Sequence, residues 1–169
     1  MTAATRIGIG HDTHRISQGG PLQLGGVAIS CAFHLVGHSD ADVLLHAVTD
    51  ALLGAAAMGD IGDLFPDTDP ANRGRDSAEM LKVAYEQVHG SGYDLVNLDC
   101  IVFAERPKLG PHKRAIRARL AGILQTDVAR IGVQAKTGEG VGVIGQGQAI
   151  SAQCVVLLEG QRGHGDTHL

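Results

Sequence analysis

The stretch HSDADVLLHAVTDALLGAAAMGDIGDLFPDTDP, residues 38–70, decides how the chain folds because its first half is a helix-length run of Ala, Leu and Val. Residues 41–58 are apolar on almost every side, which predicts a buried helix. The polar positions in and just before this run are Ser39, Asp42, His46, Thr49 and Asp50. Their spacing places them along one stripe of the helix, so each needs a partner in apolar surroundings.

The two ends of this helix carry different signals. Ser39 and Asp42 have the spacing of a capping box, so Ser39 is predicted to cap the helix at its N-terminus. Free backbone N–H groups at such an end attract anions, and His38 and Ser39 are therefore expected beside a phosphate. Residues 59–76 combine Gly, Pro and many carboxylates without a helical or strand period, which predicts a long functional loop.

A metal site is the second prediction from this region. Residues 6–14, RIGIGHDTH, are expected to form a strand that points Asp12 and His14 to the same face. With His46 they offer two imidazoles and one carboxylate, a set that suits zinc and leaves a fourth position open. Asp50, one turn beyond His46, is expected to hold the second ring nitrogen of His46. For a single buried histidine, a bond to a neighbouring carboxylate is the simpler explanation, so spacing alone leaves both open.

The remainder of the chain alternates between helices and strands. Helices are predicted to begin near Asp76 and Pro111, and strands to cover residues 96–105, 128–136 and 149–159. This order predicts an α/β (α+β) fold, with a four-stranded mixed sheet and helices packed on one face.

Gly, Pro and short apolar pieces in residues 15–37 predict a loop with a hairpin or edge strands. The pattern contains no internal repeat or linker. Residues 1–160 are therefore expected to form a single domain, followed by a flexible C-terminal tail at residues 161–169.

Composition limits the kinds of partner. A formal net charge of −4 and an aromatic content of 3% without Trp argue against nucleic acid. Cys31, Cys100 and Cys154 have no C-x-x-C spacing, as expected of free thiols in a reducing compartment. No stretch is an uninterrupted apolar span of membrane length, so a cytoplasmic location without membrane contact is expected.

A glycine-rich segment precedes the last predicted strand. Residues 140–145 match a dinucleotide-binding pattern, but the segment leaves no room for the helix that must follow in a βαβ unit. Lys136, Thr137 and Glu139 instead begin a loop whose backbone is expected to approach a phosphate or a metal closely.

Taken together, these motifs closely resemble the 2-C-methyl-D-erythritol 2,4-cyclodiphosphate synthase family of the non-mevalonate isoprenoid pathway. The matching segments are GIGHDTHR (8–15), the stretch 38–70, ERPKLGPH (105–112) and KTGEGVGVIGQG (136–147). The resemblance implies a phosphorus–oxygen lyase that assembles as a homotrimer through its sheets, with active sites between adjacent subunits. Its substrate would be 4-diphosphocytidyl-2-C-methyl-D-erythritol 2-phosphate, whose 2-phosphate attacks the β-phosphorus to give the cyclic diphosphate and CMP.

The resemblance also implies roles for the matching residues. The metal ligands would be Asp12, His14 and His46 for Zn²⁺, and Glu139 for a Mg²⁺ or Mn²⁺ that bridges the substrate phosphates. The catalytic residues would be His38 and Thr137. The substrate-binding residues would be Asp12, His14, His38, Ser39, Asp60, Ile61, Gly62, Phe65, Asp67, Asp69, Ala104, Pro107, Lys108, Leu109, Gly110, Lys136, Thr137, Gly138, Glu139, Val143 and Gln146.

Two positions depart from the family pattern. Val143 and Gln146 stand where many relatives carry Phe and Arg on a cavity at the trimer axis, and the neutral Gln146 disfavours an anion there. Two other functions remain open at this point. One is a metal-dependent phosphodiesterase that uses zinc-bound hydroxide, and the other is a non-enzymatic binding module stabilised by zinc.

Overall fold

The structure is a computed structural model that describes residues 4–161, so the predicted tail at 161–169 lies outside the described residues except for its first position. The strands are β1 (Thr5–Gln18), β2 (Leu22–Leu24), β3 (Val27–Ile29), β4 (Phe33–Val36), β5 (Tyr93–Phe103), β6 (Ile131–Lys136) and β7 (Ala149–Gly160). The α-helices are α1 (Val43–Ala56), α2 (Ile61–Leu64), α3 (Ser77–Gly90), α4 (Lys113–Ile123) and α5 (Gly142–Gly145). Short 3₁₀ turns cover Pro70–Asn72, Gly110–His112 and Val128–Arg130. Within this part of the chain, no helix is long and apolar enough to cross a membrane.

The main sheet is mixed, as predicted, but it contains five strands instead of four. Its order is β4-β1-β7-β5-β6, with β5 and β6 parallel and the other pairs antiparallel. The additional strand is β4, which pairs with the last residues of β1, from Arg15 to Gln18. The hairpin and edge strands expected in residues 15–37 are confirmed, but the place of β4 in the main sheet was not predicted, because β1 continues well beyond His14 and β4 is only four residues long.

Helix α1 begins later than predicted, and its cap is Asp42 instead of Ser39. Ala41 has a positive φ of 58°, so the chain turns out of the helical path just before Asp42. The fully buried Asp42 carboxylate accepts N–H bonds from Leu44 and Leu45 at 3.2 and 3.1 Å. The Asp42 carboxylate therefore accepts two of the N–H groups at the end of α1 that were expected to attract an anion beside His38.

Asp42 also fixes the β2–β3 hairpin. Its two carboxylate oxygens accept the N–H groups of Gly25 and Gly26 at 2.8 and 2.7 Å. Burial raises the pKa of Asp42, while the backbone donors act in the opposite direction. A single side chain thus joins the hairpin to the start of the central helix.

The helix α1 lies directly against β1, without side chains between their backbones. The positions of β1 that face α1 are Gly8 and Gly10, and a Cβ atom at either would overlap a carbonyl oxygen of α1, from Ala51 and Ala47 respectively. Only glycine permits this separation. The close packing brings the first turns of α1 next to the middle of β1.

The other predicted elements differ mainly at their ends. Asp76 caps α3, as expected, and its N–H bond comes from Ala78 at 2.7 Å. The predicted loop 59–76 contains the one-turn helix α2, and the predicted strand 128–136 begins only at Ile131 because a 3₁₀ turn precedes it. The helices cover one face of the sheet, whereas the opposite face exposes Ile7, Ile9 and Val155.

The substitution Gly10→Ala tests the close packing of α1 on β1. We expect a loss of about 2 kcal/mol in the free energy of unfolding, because the added methyl group must push α1 away from the strand. The matched control is Gly122→Ala in α4, where a Cβ atom meets nothing within 4 Å. It should keep or raise stability, since alanine favours a helix. Urea unfolding of both variants measures the difference, and equal stabilities would contradict the packing argument.

Candidate metal centre and substrate cleft

Strand β1 and helix α1 bring the three predicted metal ligands together. Asp12 and His14 point to the same side of β1, as the alternation of a strand requires, and His46 lies in the first turn of α1. Asp12 Oδ2 is 2.7 Å from His14 Nε2 and 2.9 Å from His46 Nδ1. The two nitrogens are 3.1 Å apart. Among the described residues, this is the group of His, Cys, Asp and Glu side chains whose spacing suits a metal ion.

The outer nitrogen of each histidine has a partner of its own. His14 Nδ1 lies 2.8 Å from the carbonyl oxygen of Val36, which can only accept, so Nδ1 carries the proton. His46 Nε2 lies 2.9 Å from Ser77 Oγ and 3.0 Å from Ser39 Oγ. Both rings are therefore oriented by their outer nitrogens, as metal-binding histidines usually are.

The prediction that Asp50 holds His46 is wrong. Its carboxylate accepts the N–H of Ile61 at 2.8 Å and fixes the first residue of α2. Ser77, from the start of α3, occupies the place expected for Asp50. No sequence pattern indicates this exchange, because the path of the intervening loop brings Ser77 next to His46.

The charges of the trio explain why it needs a cation. When their outer nitrogens donate, His14 Nε2 and His46 Nδ1 present lone pairs toward the Asp12 carboxylate. Burial opposes ionisation of Asp12, but a proton added to either of these nitrogens donates to its carboxylate, and such hydrogen bonds hold the pKa of Asp12 well below the ordinary value. Burial alone would lower the pKa of His14, and the Asp12 carboxylate reverses this, so the pKa is raised. Three acceptors that converge in this way require a proton or a metal ion between them.

The trio opens into a cleft of about 220 Å³. Predicted residues on its walls are Asp12, His14, His38, Ser39, His46, Ile61, Gly62, Phe65 and Asp67. Gly37, Asp50, Asn72 and Met80 also line it and were not among the predicted substrate-binding residues. At its mouth, His38 Nδ1 lies 3.4 Å from Asp67 Oδ2, and both side chains are largely exposed.

Asp60 and Asp69, two predicted substrate-binding residues of the loop 59–76, do not line this cleft and cap short helical turns instead. The Asp60 carboxylate accepts the N–H of Asp63 at 3.0 Å and caps α2. The Asp69 carboxylate accepts the N–H of Ala71 at 2.9 Å and caps the 3₁₀ turn that follows. Both residues shape the loop that forms one wall of the cleft.

A second group of predicted residues lies at the carboxyl ends of β5 and β6. Because these strands are parallel, their ends meet, and the N–H of Ala104 donates to the carbonyl oxygen of Lys136 at 2.9 Å. The segment that follows β5 contains Pro107, Lys108, Leu109 and Gly110. The cleft at the metal trio is lined by none of these residues.

The remaining predicted residues follow β6. Thr137 Oγ1 donates to the Glu139 carboxylate at 2.8 Å, and Glu139 has a positive φ of 50°. Glu139 is exposed and is not part of the metal trio. Val143 lines a separate cavity with Arg15 and Arg106, and Gln146 accepts a bond from the side chain of Gln148 at 3.1 Å.

The fold and the trio together define an α/β protein with a group of side chains that could hold a metal ion at the wall of a cleft. The model of the YgbB family matches residues 5–159. The chain belongs to this family.

Named relatives are similar over almost their whole length. The 2-C-methyl-D-erythritol 2,4-cyclodiphosphate synthase of Rhodopirellula baltica is 51% identical over 155 residues, which cover 92% of this chain and 93% of the relative. The enzyme of the same name from Gemmatimonas aurantiaca is 48% identical over 162 residues, covering 95% and 98%. A solved structure of 2C-methyl-D-erythritol-2,4-cyclodiphosphate synthase in a CDP-bound form has a TM-score of 0.84 and 42% identity, covering 90% and 99%. The sequence-based prediction of a cyclodiphosphate synthase is thereby confirmed.

Removal of one ligand tests the metal centre. His46→Ala should leave a folded protein whose zinc content falls from about one ion per chain to nearly none, because three protein ligands are needed at an open site. The measurement is elemental analysis of the purified protein, with circular dichroism to verify folding. His89→Ala is the matched control, since His89 pairs with Asp94 at the surface, 3.2 Å away, far from the trio in the fold. Full zinc retention by His46→Ala would contradict the site.

Proposed function

We propose that this chain converts 4-diphosphocytidyl-2-C-methyl-D-erythritol 2-phosphate to 2-C-methyl-D-erythritol 2,4-cyclodiphosphate and CMP. The 2-phosphate attacks the β-phosphorus, and the bond between the β-phosphorus and the oxygen bridging it to the α-phosphorus breaks as CMP leaves. The observation that carries the proposal is the convergence of Asp12, His14 and His46 on one point at the wall of a cleft. The names of relatives that match over almost their whole length give the product, 2-C-methyl-D-erythritol 2,4-cyclodiphosphate, and the family resemblance implies the substrate and a phosphorus–oxygen lyase.

Zinc is the metal that best suits the trio. Two imidazole nitrogens and one carboxylate oxygen are a set found in catalytic zinc sites, with the fourth position left for substrate. A metal bound there would act as a Lewis acid toward a phosphate oxygen. Glu139, held by Thr137, is the carboxylate proposed for a Mg²⁺ or Mn²⁺ shared with the substrate phosphates, because this cation prefers oxygen ligands.

The reaction needs no strong general base, which agrees with the residues of the cleft. The second pKa of a phosphate monoester is about 6, so the nucleophile is already mostly dianionic at neutral pH. The protein instead has to hold two anionic groups close together and stabilise the charge on the leaving CMP. Lys108 and Lys136 supply positive charge beside the proposed cytidine region, and His38 and Thr137 are proposed to stabilise the transition state.

The two groups of site residues are proposed to bind different halves of the substrate. Walls formed by Ser39, Ile61, Gly62, Phe65 and Asp67 would enclose the erythritol phosphate, next to the metal. The cytidine diphosphate would lie against the segment from Ala104 to Gly110 and the loop that begins at Lys136. Asp60 and Asp69 would stabilise the loop 59–76, which carries Ile61, Gly62, Phe65 and Asp67, by capping its short helical turns.

A trimer would complete this site from two subunits. The proposal is supported by the uncovered sheet face, where Ile7 and Ile9 are 73% and 69% exposed. Isolated apolar side chains are common on surfaces, but a row of them on a sheet face marks an interaction surface. The separation of the metal cleft from the cytidine region within one chain also favours a neighbour that brings the second region.

Three further expectations remain proposals. Residues 1–160 are proposed to act as one cyclodiphosphate synthase domain. A cytoplasmic location is supported by the free thiols of Cys31, Cys100 and Cys154. The neutral Gln146 should make the axial cavity of the trimer a poor site for anions.

The products of one reaction test the activity. The zinc-loaded protein is incubated with Mg²⁺ and the CDP-linked substrate. It should release the cyclic diphosphate and CMP in equal amounts, which ³¹P NMR and chromatography measure. His46→Ala serves as the inactive control. Removal of zinc from the unmodified protein should abolish turnover, and addition of zinc should restore it. A linear phosphate product would support the phosphodiesterase and contradict the proposal.

A single charge on the sheet face tests the assembly. Ile9→Glu should convert the trimer to monomers, because a buried carboxylate without a partner opposes association. Its matched control is Val128→Glu, which places the same charge at an exposed position of the 3₁₀ turn before β6. Native mass spectrometry gives the subunit count of each variant. A trimer of Ile9→Glu, or a monomer of the unmodified chain, would refute assembly through this face.

A further inference from the structure

Two residues behind the metal trio form a hydrogen-bonded chain that the function above does not use. Ser77, at the first position of α3, is 1% exposed, and its Oγ lies 2.9 Å from His46 Nε2. On its other side, the hydroxyl of Ser77 donates to a carboxylate oxygen of Asp40. The second oxygen of Asp40 accepts the N–H of Ser77 at 3.2 Å. The Asp40 carboxylate therefore accepts hydrogen bonds from both the backbone N–H and the hydroxyl of Ser77.

The direction of these bonds fixes the tautomer of His46. An ionised carboxylate only accepts hydrogen bonds, so the Ser77 hydroxyl proton is directed to Asp40. The free lone pair of Ser77 Oγ then faces His46 and accepts the proton on Nε2. As a result, His46 Nδ1 keeps its lone pair and directs it toward Asp12 and His14.

Ser39 contacts the same nitrogen but has a different setting. Its Oγ lies 3.0 Å from His46 Nε2 and accepts the N–H of Ala41 at 3.1 Å. It lines the cleft, whereas Ser77 does not. Its hydroxyl proton is consequently available toward the cleft or toward Ser77, whose Oγ is 3.3 Å away. Of the two serines, only Ser77 is locked as an acceptor for His46.

We propose that Asp40 and Ser77 are positioning residues that orient His46 and raise its affinity for the metal. The proposal rests on the proposed function only in requiring that the trio binds zinc. Neither residue touches the reacting atoms, so both act through His46. Partners of this kind commonly account for a 10- to 100-fold difference in metal affinity, which sets the expected size of the effect at roughly that range.

The same chain connects the metal to the loop that encloses the cleft. The N–H of Asp40 donates to the carbonyl oxygen of Arg75 at 3.2 Å, and the N–H of Gly74 donates to the carbonyl oxygen of His38 at 2.7 Å. The last residues of the loop 59–76 are thus paired with the segment that holds Asp40. A displacement of this end of the loop would move Ser77 and change its hydrogen bond with His46 Nε2.

The test compares zinc affinity among variants in the absence of substrate. Ser77→Ala should weaken zinc binding by roughly 10- to 100-fold, measured by competition with a chromophoric chelator. Ser77→Thr keeps the hydroxyl and should restore most of the affinity. The matched control is Ser91→Ala, just after the opposite end of α3, where the hydroxyl donates to the carbonyl oxygen of Val88 at 2.7 Å and the affinity should not change. The absorption spectrum of bound Co²⁺ should shift in Ser77→Ala and not in Ser91→Ala.

A second variant keeps the test decisive if Ser77→Ala does not fold. Asp40→Asn retains the size of the side chain but removes its charge, and it should also weaken zinc binding, by a smaller factor. If Ser77→Ala folds and its zinc affinity stays within twofold of that of the unmodified protein, this inference alone is overturned. If Ser77→Ala does not fold, the same result for Asp40→Asn overturns it. Failure of the unmodified protein to bind zinc would overturn the proposed function as well.

Discussion

The separation between α1 and β1 is the constraint on which the rest of the structure depends. Gly8 and Gly10 allow the backbone of the helix to lie directly on the strand. Since Asp12 and His14 follow these glycines on β1 and His46 belongs to α1, the separation of the two backbones sets the distances in the metal trio. A side chain between the two elements would move His46 away from Asp12. The metal site is therefore a property of backbone packing before it is a property of its ligands.

Asp42 determines where along β1 the helix begins. Its carboxylate accepts four backbone N–H groups, two from α1 and two from the β2–β3 turn, so the helix can neither extend backward nor slide. A buried charge is costly unless it is fully hydrogen-bonded, and this one is. Through this contact, a hairpin that contributes nothing to the cleft fixes the rotation of α1 and hence the direction of His46.

Much of the site could be predicted from the sequence because its signals are local. The period of a strand places Asp12 and His14 on one face, and the long apolar run around His46 identifies a buried helix. The structure confirms both. The resemblance to a family supplied the assembly, the substrate and the individual roles, which no periodicity contains.

The errors have a common origin in contacts between residues distant in sequence. Ser39 looks like a helix cap, but the positive φ of Ala41 and the donors from Gly25 and Gly26 favour Asp42. Asp50 looks like the partner of His46, but the return of the chain after the loop places Ser77 there. Local spacing identified the right regions and could not choose between neighbouring polar groups.

Strand β1 is constrained by its close contact with α1 and by the two ligands that it carries. Its glycines contact helix backbone on one face, its isoleucines form an exposed apolar row on the other, and two ligands lie between the glycines and its end. For an inhibitor that binds at the ligands, this means that few substitutions in the strand can weaken binding and leave a working protein. Substitutions that weaken such an inhibitor are expected more readily in the loop 59–76, whose side chains are mostly exposed.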